Sequence, residues 1–289
     1  MAAIAFWPDP VQPNNSPPET EPTSLRSQPT NQPTNHLTNQ LTNFGLAWSL
    51  LTVIRWPFST QATISSLGRS VAYYPLVGLI LGGILAGMGW VVYPFLPPGL
   101  AGAILLAVWV GLTGMLHLDG FMDSCDGLLP PRARERRLEI MKDSRVGAFG
   151  VVAVVLLLLL KFNALTALPP GYRLAALVTT PVLARWAMTW VMARYPLARS
   201  EGMGVAFTAG LGWTQVGLAS VVAAVVALLA LNWLGLALLV VTWLTATLIA
   251  RLAMARLGGL TGDVYGAICE VIEVVLLTVM AVLPQSLLT

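Results

Sequence analysis

Long apolar runs decide what this chain can fold into. From residue 44 onward the sequence repeatedly places about 20 residues in a row with few charges among them, and a helix of about that length crosses the roughly 30 Å hydrocarbon core of a bilayer. Of the 289 residues, 56% are hydrophobic and only 10% are charged, and the mean hydropathy is +0.74. A soluble domain carries about 25% charged residues, so this chain has too few to cover a surface that faces water. The sequence therefore predicts an all-α, polytopic integral membrane helical bundle.

The chain divides into two predicted parts. Residues 1–43 repeat Pro, Thr, Asn and Gln with almost nothing apolar to bury, which is typical of a disordered, low-complexity tail. Residues 44–289 are predicted to form the membrane-embedded catalytic domain, beginning with an interfacial helix over 44–54 that is too short to span. About seven transmembrane helices are predicted after it, at 73–93, 101–118, 149–168, 173–193, 214–231, 235–250 and 269–287.

The charges of the connecting segments predict the topology. Segments 94–100 and 232–234 contain no Lys or Arg. Arg and Lys are instead concentrated in the connections 55–72, 119–148, 194–213 and 251–268. By the positive-inside rule these four connections face the cytoplasm. With seven spans, the N-terminus is then inside and the C-terminus outside.

Three carboxylates are spaced to share one stripe of a helix. Asp119, Asp123 and Asp126 are separated by four and three residues, which places them on one helical face. Three ionised carboxylates this close repel one another, and they are poorly solvated at a membrane boundary. Mg²⁺ would remove that repulsion, because it binds one or two carboxylates, keeps waters and shares the phosphates of a substrate. The alternative is that these acids form ion pairs with the downstream arginines 132–137 in a solvated loop. Intramembrane acids are usually functional, which favours the metal site.

Other polar groups at the cytoplasmic side have two interpretations each. Lys142 and Arg145 either neutralise phosphate charge opposite the metal or belong to an amphipathic, salt-bridged interfacial helix, and the sequence alone does not choose. Asp263 and Glu270, seven residues apart, suggest a second acidic wall beside a glycine-rich turn. His117 is a minor candidate for a general base, although a single histidine at a membrane edge is more often structural.

Five segments resemble the motifs of a known family, cobalamin-5′-phosphate synthase, also called adenosylcobinamide-GDP ribazoletransferase. They occur in the order of the family, span about 45–275, and are 74–78, 117–127, 138–145, 201–204 and 258–263. Two departures from the family pattern stand out. Its N-terminal Thr-Arg-hydrophobic-Pro element appears here with Ile54 in place of the threonine, and the segment before Phe44 has no counterpart.

The resemblance implies a reaction and its setting. Adenosylcobinamide-GDP reacts with α-ribazole or its 5′-phosphate, a ribose hydroxyl attacks the phosphorus attached to cobinamide, and adenosylcobalamin or its 5′-phosphate and GMP are formed. Mg²⁺ is the implied cofactor. The implied partners are the two substrates and the lipid bilayer, with no nucleic acid, and self-association into a homo-oligomer is left open. The implied location is the bacterial inner plasma membrane, with the active site facing the cytoplasm.

The residue patterns and the resemblance together give the predicted site. The predicted catalytic residues are His117, Asp119, Asp123, Asp126, Lys142, Asp143 and Arg145. The predicted substrate-binding residues are Arg55, Arg69, Arg185, Glu201, Gly202, Gly204, Gly259, Thr261, Gly262, Asp263 and Glu270. The predicted metal ligands are Asp119, Asp123, Asp126 and Asp263.

Two other functions would also explain acidic residues at one end of a membrane bundle. The first is another membrane transferase acting on a diphosphate. The spacing of Asp119 and Asp123 fits the prenyltransferase pattern Asp-x-x-x-Asp, but the Asn-Asp-x-x-Asp partner motif is absent. In a CDP-alcohol phosphotransferase Ala-Arg follows Asp-Gly, whereas this chain has Phe121-Met122 and then Asp123. The second alternative is a transporter, which favours acids near the bilayer midplane and an internal repeat. Here the acids gather at one face and no repeat is visible.

Overall fold

A computed structural model describes residues 36–58, 60 and 62–284, and this part of the chain is helical throughout. Its only β-type pairing is an isolated parallel bridge between Leu197 and Leu260, so the predicted all-α class is confirmed. The helices are α1 His36–Leu51, α2 Ile64–Ser70, α3 Tyr74–Val92, α4 Pro98–Leu112, α5 Leu116–Leu128, α6 Arg134–Ile140, α7 Ala148–Ala167, α8 Pro170–Arg194, α9 Met203–Thr208, α10 Trp213–Leu257 and α11 Gly262–Val282.

Five segments of the described chain are long and apolar enough to cross a membrane. They are Ile64–Val92, which joins α2 to α3 through a 3₁₀ turn, and helices α7, α8, α10 and α11. A sixth candidate is the pair α4 and α5, which passes the same test together but is bent by 88°. The predicted multi-pass membrane class is therefore confirmed, while the number of seven spans stays a prediction.

Helix α10 folds back on itself at Asn232. Its 45 residues would form a rod of about 68 Å at 1.5 Å per residue, more than twice the thickness of the hydrocarbon core. Asn232 has non-helical dihedral angles, with φ 50° and ψ −138°. A Cβ on Gly235 would overlap the backbone of Ala227, although residues eight apart in one helix are separated by about 12 Å. The two halves are therefore a helical hairpin, with its break at the boundary that the sequence predicts.

Two predicted boundaries of spans need correction. The span predicted at 101–118 ends at Leu112, because Gly114 and Met115 both adopt left-handed dihedral angles, with φ 58° and 60°, and turn the chain into α5. The span predicted at 269–287 begins at Gly262, where the Thr261 side chain accepts a hydrogen bond from the Val264 amide and caps α11. A hydropathy pattern misses this first part of α11, because glycines and acidic residues interrupt the apolar run.

Helix α1 also begins earlier than the sequence predicts. Disorder is predicted up to residue 43, whereas the helix starts at His36. The buried side chains of Ala47, Trp48 and Leu51 anchor its C-terminal half, and the polar residues before them extend the same helix without an intervening proline. The rest of the predicted tail, residues 1–35, lies outside the described residues.

Helices α8 and α11 form the centre of the bundle. In their most apolar windows 78% and 72% of the residues are buried, against 28% in α7 and in α10, whose remaining surface is left for lipid. Glycines let α3 approach α8 closely: a Cβ on Gly78 would lie 2.9 Å from Val182 Cα, and one on Gly82 would lie 2.7 Å from the Val178 carbonyl oxygen. Small residues at such an interface allow backbones to touch, as is usual between membrane helices.

Replacing Gly82 by leucine tests the contact between α3 and α8. The new side chain would press on the backbone of Val178, which cannot rotate away, so we expect the free energy of unfolding to fall by at least about 1–3 kcal/mol. Gly83→Leu is the matched control, because a Cβ at Gly83 meets nothing within 4 Å. Thermal unfolding of both variants in detergent gives the comparison, and equal melting temperatures would contradict the packing described here.

Candidate active site

A close crossing of α5 and α11 builds the acidic site. A Cβ on Gly120 of α5 would lie 3.0 Å from Asp263 Cα, and one on Gly266 of α11 would lie 3.0 Å from the His117 carbonyl oxygen. The two helices thus touch backbone to backbone, which only glycine permits at this distance. The crossing places the first turn of α11, with Asp263, beside the acidic stripe of α5.

The carboxylates at this crossing outnumber the nearby cations. Among the described residues, Asp123 interacts electrostatically with the carboxylates of Asp119, Asp263 and Asp126 and with the cation Arg199. Arg199 Nη1 lies 3.7 Å from Asp263 Oδ2, which also accepts a hydrogen bond of 3.2 Å from the Thr261 hydroxyl. Asp119 is exposed, and Asp123 and Asp263 are half-buried. The cluster therefore carries excess negative charge and stays open to solvent on one side.

The oxygen donors present suit a divalent cation that a substrate helps to hold. Within the described residues, no three His, Cys, Asp or Glu side chains lie close enough together to hold a metal ion unaided. Mg²⁺ does not need such a cage, because it is usually bound by one or two carboxylates together with waters and the phosphates of a substrate. One or two of the carboxylates of Asp119, Asp123 and Asp263 would meet that requirement.

The Asp126 carboxylate is hydrogen-bonded to the backbone at the start of α7. Its two carboxylate oxygens accept hydrogen bonds from the backbone amides of Gly147, at 2.9 Å, and Gly150, at 2.8 Å, and so cap the N-terminus of α7. A Cβ on either glycine would overlap the carboxylate. Each oxygen accepts one backbone hydrogen bond and keeps a further lone pair, so the predicted role of Asp126 as a metal ligand stays a prediction.

A second feature next to Asp126 is a cavity of about 190 Å³ whose lining includes the predicted residues Asp143 and Arg145. Its lining is Asp126, Pro130, Arg132, Ile140, Asp143, Arg145, Gly147, Ala148 and Phe149. Arg145 donates from Nε and Nη2 to Asp143, at 3.0 and 2.6 Å, and this hydrogen bonding lowers the pKa of Asp143 to about 2. Asp143 is therefore ionised at every working pH, and part of the charge of Arg145 is already matched. Lys142 is exposed and outside the lining.

The two glycine-containing motifs meet beside Asp263. The Ala198 amide donates to the Leu260 carbonyl at 2.8 Å, and the Leu260 amide donates to the Pro196 carbonyl at 2.9 Å. A Cβ on Gly259 would overlap the backbone of Leu197 and Ala198. These contacts bring the predicted residues Glu201, Gly202 and Gly204 to the same end of the bundle as Gly259, Thr261 and Gly262.

Two predicted substrate-binding arginines are not brought to this site. Arg55 follows α1 and Arg69 lies on α2, and both are exposed. Among the described residues no hydrogen bond or ion pair joins either of them to the acidic cluster. Their assignment stays a prediction without a structural contact behind it.

A buried ion-pair network lies deeper in the bundle, below the acidic cluster. Lys161 of α7 pairs with Glu270 of α11 at 3.0 Å and also with Glu273, and Glu273 pairs in turn with Arg185 of α8. All four side chains are at most 5% exposed. Arg185 and Glu270, both predicted to bind substrate, are thus enclosed among protein side chains and joined to one another through Lys161 and Glu273.

The sequence signal for this network was a lysine and two glutamates inside apolar spans. Intramembrane charges face the bundle interior and pair with one another, and Lys161 has no acidic partner on its own helix. The sequence patterns assign no role to Lys161 or to Glu273. The partners come from different helices, so their pairing depends on the tertiary structure.

Comparison with known proteins decides the family. The sequence profile described as Cobalamin-5-phosphate synthase matches residues 43–281. A relative from Desulforamulus reducens, named adenosylcobinamide-GDP ribazoletransferase, is 42% identical over 79% of this chain and 91% of its own length. Proteins of the same name from Roseiflexus sp. and Geotalea daltonii are 39% and 40% identical over 81% and 82% of this chain, and over 87% and 96% of their own lengths. The chain belongs to the cobalamin-5-phosphate synthase family.

This match to cobalamin-5-phosphate synthase extends over the whole predicted site, from Arg55 to Glu270. The resemblance drawn from the motifs is thus confirmed, and the prenyltransferase, CDP-alcohol phosphotransferase and transporter alternatives are set aside. No solved structure matches the chain.

His117 lies beside Arg185 of the buried network. Its imidazole is buried, and Nδ1 lies 3.5 Å from Arg185 Nη2. Because a guanidinium only donates, Nδ1 must be the accepting nitrogen and Nε2 carries the proton of the neutral ring. Nε2 has no hydrogen-bond partner among the described residues. The Nδ1 lone pair thus faces a cation in this arrangement, and the role of His117 as a general base stays a prediction.

Removing Glu273 tests the buried network. In Glu273→Ala the cations Lys161 and Arg185 remain buried with Glu270 as their one anion, and we expect the free energy of unfolding to fall by about 3–5 kcal/mol. Glu135→Ala is the matched control, since Glu135 is 76% exposed and lies 4.0 Å from Arg134, a surface pair worth about 0–1 kcal/mol. Thermal and denaturant unfolding in detergent compare the two. Similar losses in both variants would show that the network adds nothing to stability.

Proposed function

We infer that this chain is an adenosylcobinamide-GDP ribazoletransferase. The observation that carries this conclusion is the match to the cobalamin-5-phosphate synthase family over residues 43–281, together with relatives of 39–42% identity that bear that name. The acidic site at the crossing of α5 and α11 supports it, because a diphosphate substrate needs a place where its charge is neutralised.

The reaction exchanges one P–O bond for another. A ribose hydroxyl of α-ribazole or its 5′-phosphate attacks the phosphorus that carries cobinamide, and the bond from that phosphorus to the bridging oxygen of the diphosphate breaks. The hydroxyl loses its proton, and GMP leaves with the electron pair of the broken bond. The products are adenosylcobalamin or its 5′-phosphate and GMP, which completes the nucleotide loop of cobalamin.

We assign the cofactor Mg²⁺ to Asp119, Asp123 and Asp263. Bound there together with the diphosphate, it would neutralise the charge that develops on the leaving phosphate. Arg199, 3.7 Å from Asp263, is the side chain placed to meet a phosphate oxygen at the same cluster. Asp126 acts as a positioning residue, because its bonds to Gly147 and Gly150 fix the end of α5 against α7.

The arginine-rich end of the bundle supports a location in the bacterial inner membrane, with the active site facing the cytoplasm. Arg134 Nε donates to the Leu257 carbonyl at 2.6 Å, and Arg199 Nη2 donates to the Leu138 carbonyl at 3.0 Å. These bonds join the segment after α5, the segment after α8 and the end of α10 into one face, which also carries the acidic cluster. An excess of arginine on one face marks the cytoplasmic side.

Isosteric removal of the cluster's charges tests the function. Asp119→Asn and Asp123→Asn should each lower turnover at least about 100-fold, because charge stabilisation in the transition state is lost. Since the two carboxylates act on one ion, the double variant should be little worse than either single one. The assay is Mg²⁺-dependent release of GMP from adenosylcobinamide-GDP with α-ribazole 5′-phosphate.

Two further variants make the result specific. Glu135→Gln removes an exposed acid outside the site and should leave turnover unchanged. Asp126→Asn weakens the cap of α7, so it should lower the free energy of unfolding by about 1 kcal/mol, a loss that melting temperature reports. A well-folded Asp123→Asn protein with near-normal turnover would contradict the assignment of the acidic site.

A further inference from the structure

The structure has a second and larger cavity that the acidic site does not use. It measures about 410 Å³ and lies between the start of α2, the segment after α8, and α9. Its lining is Ile64, Ser200, Glu201, Gly202, Val205, Ala206 and Ala209. The walls are aliphatic, and among the described residues that line the cavity only Ser200 and Glu201, neighbours in the sequence, carry polar side chains.

The cavity lies next to the acidic cluster, because residues adjacent to its lining come close to the start of α11 in two places. Ser200 directly follows Arg199, whose guanidinium lies 3.7 Å from Asp263. Val205 directly follows Gly204, and a Cβ on Gly204 would lie 4.0 Å from the Gly262 amide nitrogen at the start of α11. A ligand seated in the cavity would therefore have one end at the residues that surround Asp263.

Tight backbone contacts hold the walls of the cavity in place. A Cβ on Gly68 of α2 would overlap the backbone of Gly210, just after α9, and a Cβ on Gly210 would lie 2.9 Å from the Ser65 carbonyl oxygen. At the start of α2, Thr63 and Ser66 bond each other reciprocally in a capping box. The space between α2 and α9 is thus pre-formed, as ligand cavities usually are.

We propose that this cavity is the acceptor subsite and takes the base of the ribazole substrate. This inference rests on the proposed function, in which a ribonucleoside with a methylated benzimidazole base must lie beside the diphosphate. Such a base is flat and largely apolar, which suits walls of Ile64, Val205, Ala206 and Ala209. The carboxylate of Glu201 can accept hydrogen bonds from the ribose hydroxyls. The attacking hydroxyl is then directed toward Asp263.

The guanine base of the other substrate fits this cavity less well. Guanine presents polar donors and acceptors around most of its edge, and burying them without partners costs about 1–3 kcal/mol each. Ser200 and Glu201 could satisfy only part of them, while the aliphatic walls satisfy none. The lining therefore favours the acceptor base over the base of the leaving nucleotide.

Filling the cavity is the first test. Ala206→Phe places a ring where the acceptor base would lie, and we expect it to raise KM for α-ribazole 5′-phosphate at least tenfold while KM for adenosylcobinamide-GDP changes less than twofold. Ala224→Phe, on α10 and outside the lining, is the matched control and should leave both KM values unchanged. Glu201→Gln is an isosteric second variant at an exposed position, and it should raise KM for the acceptor severalfold even if Ala206→Phe folds poorly.

The outcomes separate this inference from the proposed function. Absence of GMP release by the wild-type protein with both substrates would contradict the proposed function itself. With wild-type turnover present, a rise in KM for adenosylcobinamide-GDP alone would assign the cavity to the donor and overturn the inference. Unchanged KM values in well-folded Ala206→Phe and Glu201→Gln would also overturn it and leave the cavity to lipid or detergent. Equilibrium binding of α-ribazole to the same proteins, weakened at least tenfold in Ala206→Phe, provides the confirming measurement.

Discussion

Two cations and two anions sealed inside the bundle fix the arrangement on which the rest of this structure depends. Lys161, Arg185, Glu270 and Glu273 come from three helices, and their charges sum to zero. Apolar side chains alone hold membrane helices together weakly, because lipid is as apolar as they are. A buried charge left without its partner is costly, so the network favours one register of α7, α8 and α11 over its alternatives. Through Arg185 it also reaches His117 and hence α5.

That register has a direct effect on the polar end of the bundle. Helices α5 and α11 meet through Gly120 and Gly266, and the carboxylates that gather there repel one another. The repulsion is tolerable because the helices are held from below by the ion pairs and from the side by the cap that Asp126 places on α7. Under the proposed function, a cation bound with the diphosphate would relieve this repulsion, and the rigid interior of the bundle would keep the carboxylates in place to bind it.

The sequence predicts those parts of the fold and of the site that depend only on the spacing of nearby residues. Asp119 and Asp123 share a helical face because of their spacing alone, and the break at Asn232 follows from a polar residue between two apolar runs. The bend after Leu112 was missed, since Gly114 and Met115 lie in a stretch whose hydropathy is uninterrupted. The start of α11 was missed because Asp263 and its neighbouring glycines look like a loop. Contacts between distant segments escape such reasoning altogether: Asp126 finds its partners at Gly147 and Gly150, and Lys161 finds Glu273 on another helix.

The cap on α7 has a consequence for how this protein can hold phosphate. Many phosphate sites use the free amides of a helix N-terminus, which donate hydrogen bonds directly to the anion. Here the N-terminus of α7 borders the smaller cavity, but the Asp126 carboxylate already accepts hydrogen bonds from two of its amides, those of Gly147 and Gly150. Under the proposed function, the anionic substrate would then be held by a metal ion and by exposed arginine side chains such as Arg132. Such charge attractions are screened over about 8 Å at physiological ionic strength, which would tie substrate affinity to the salt and free magnesium of the surrounding solution.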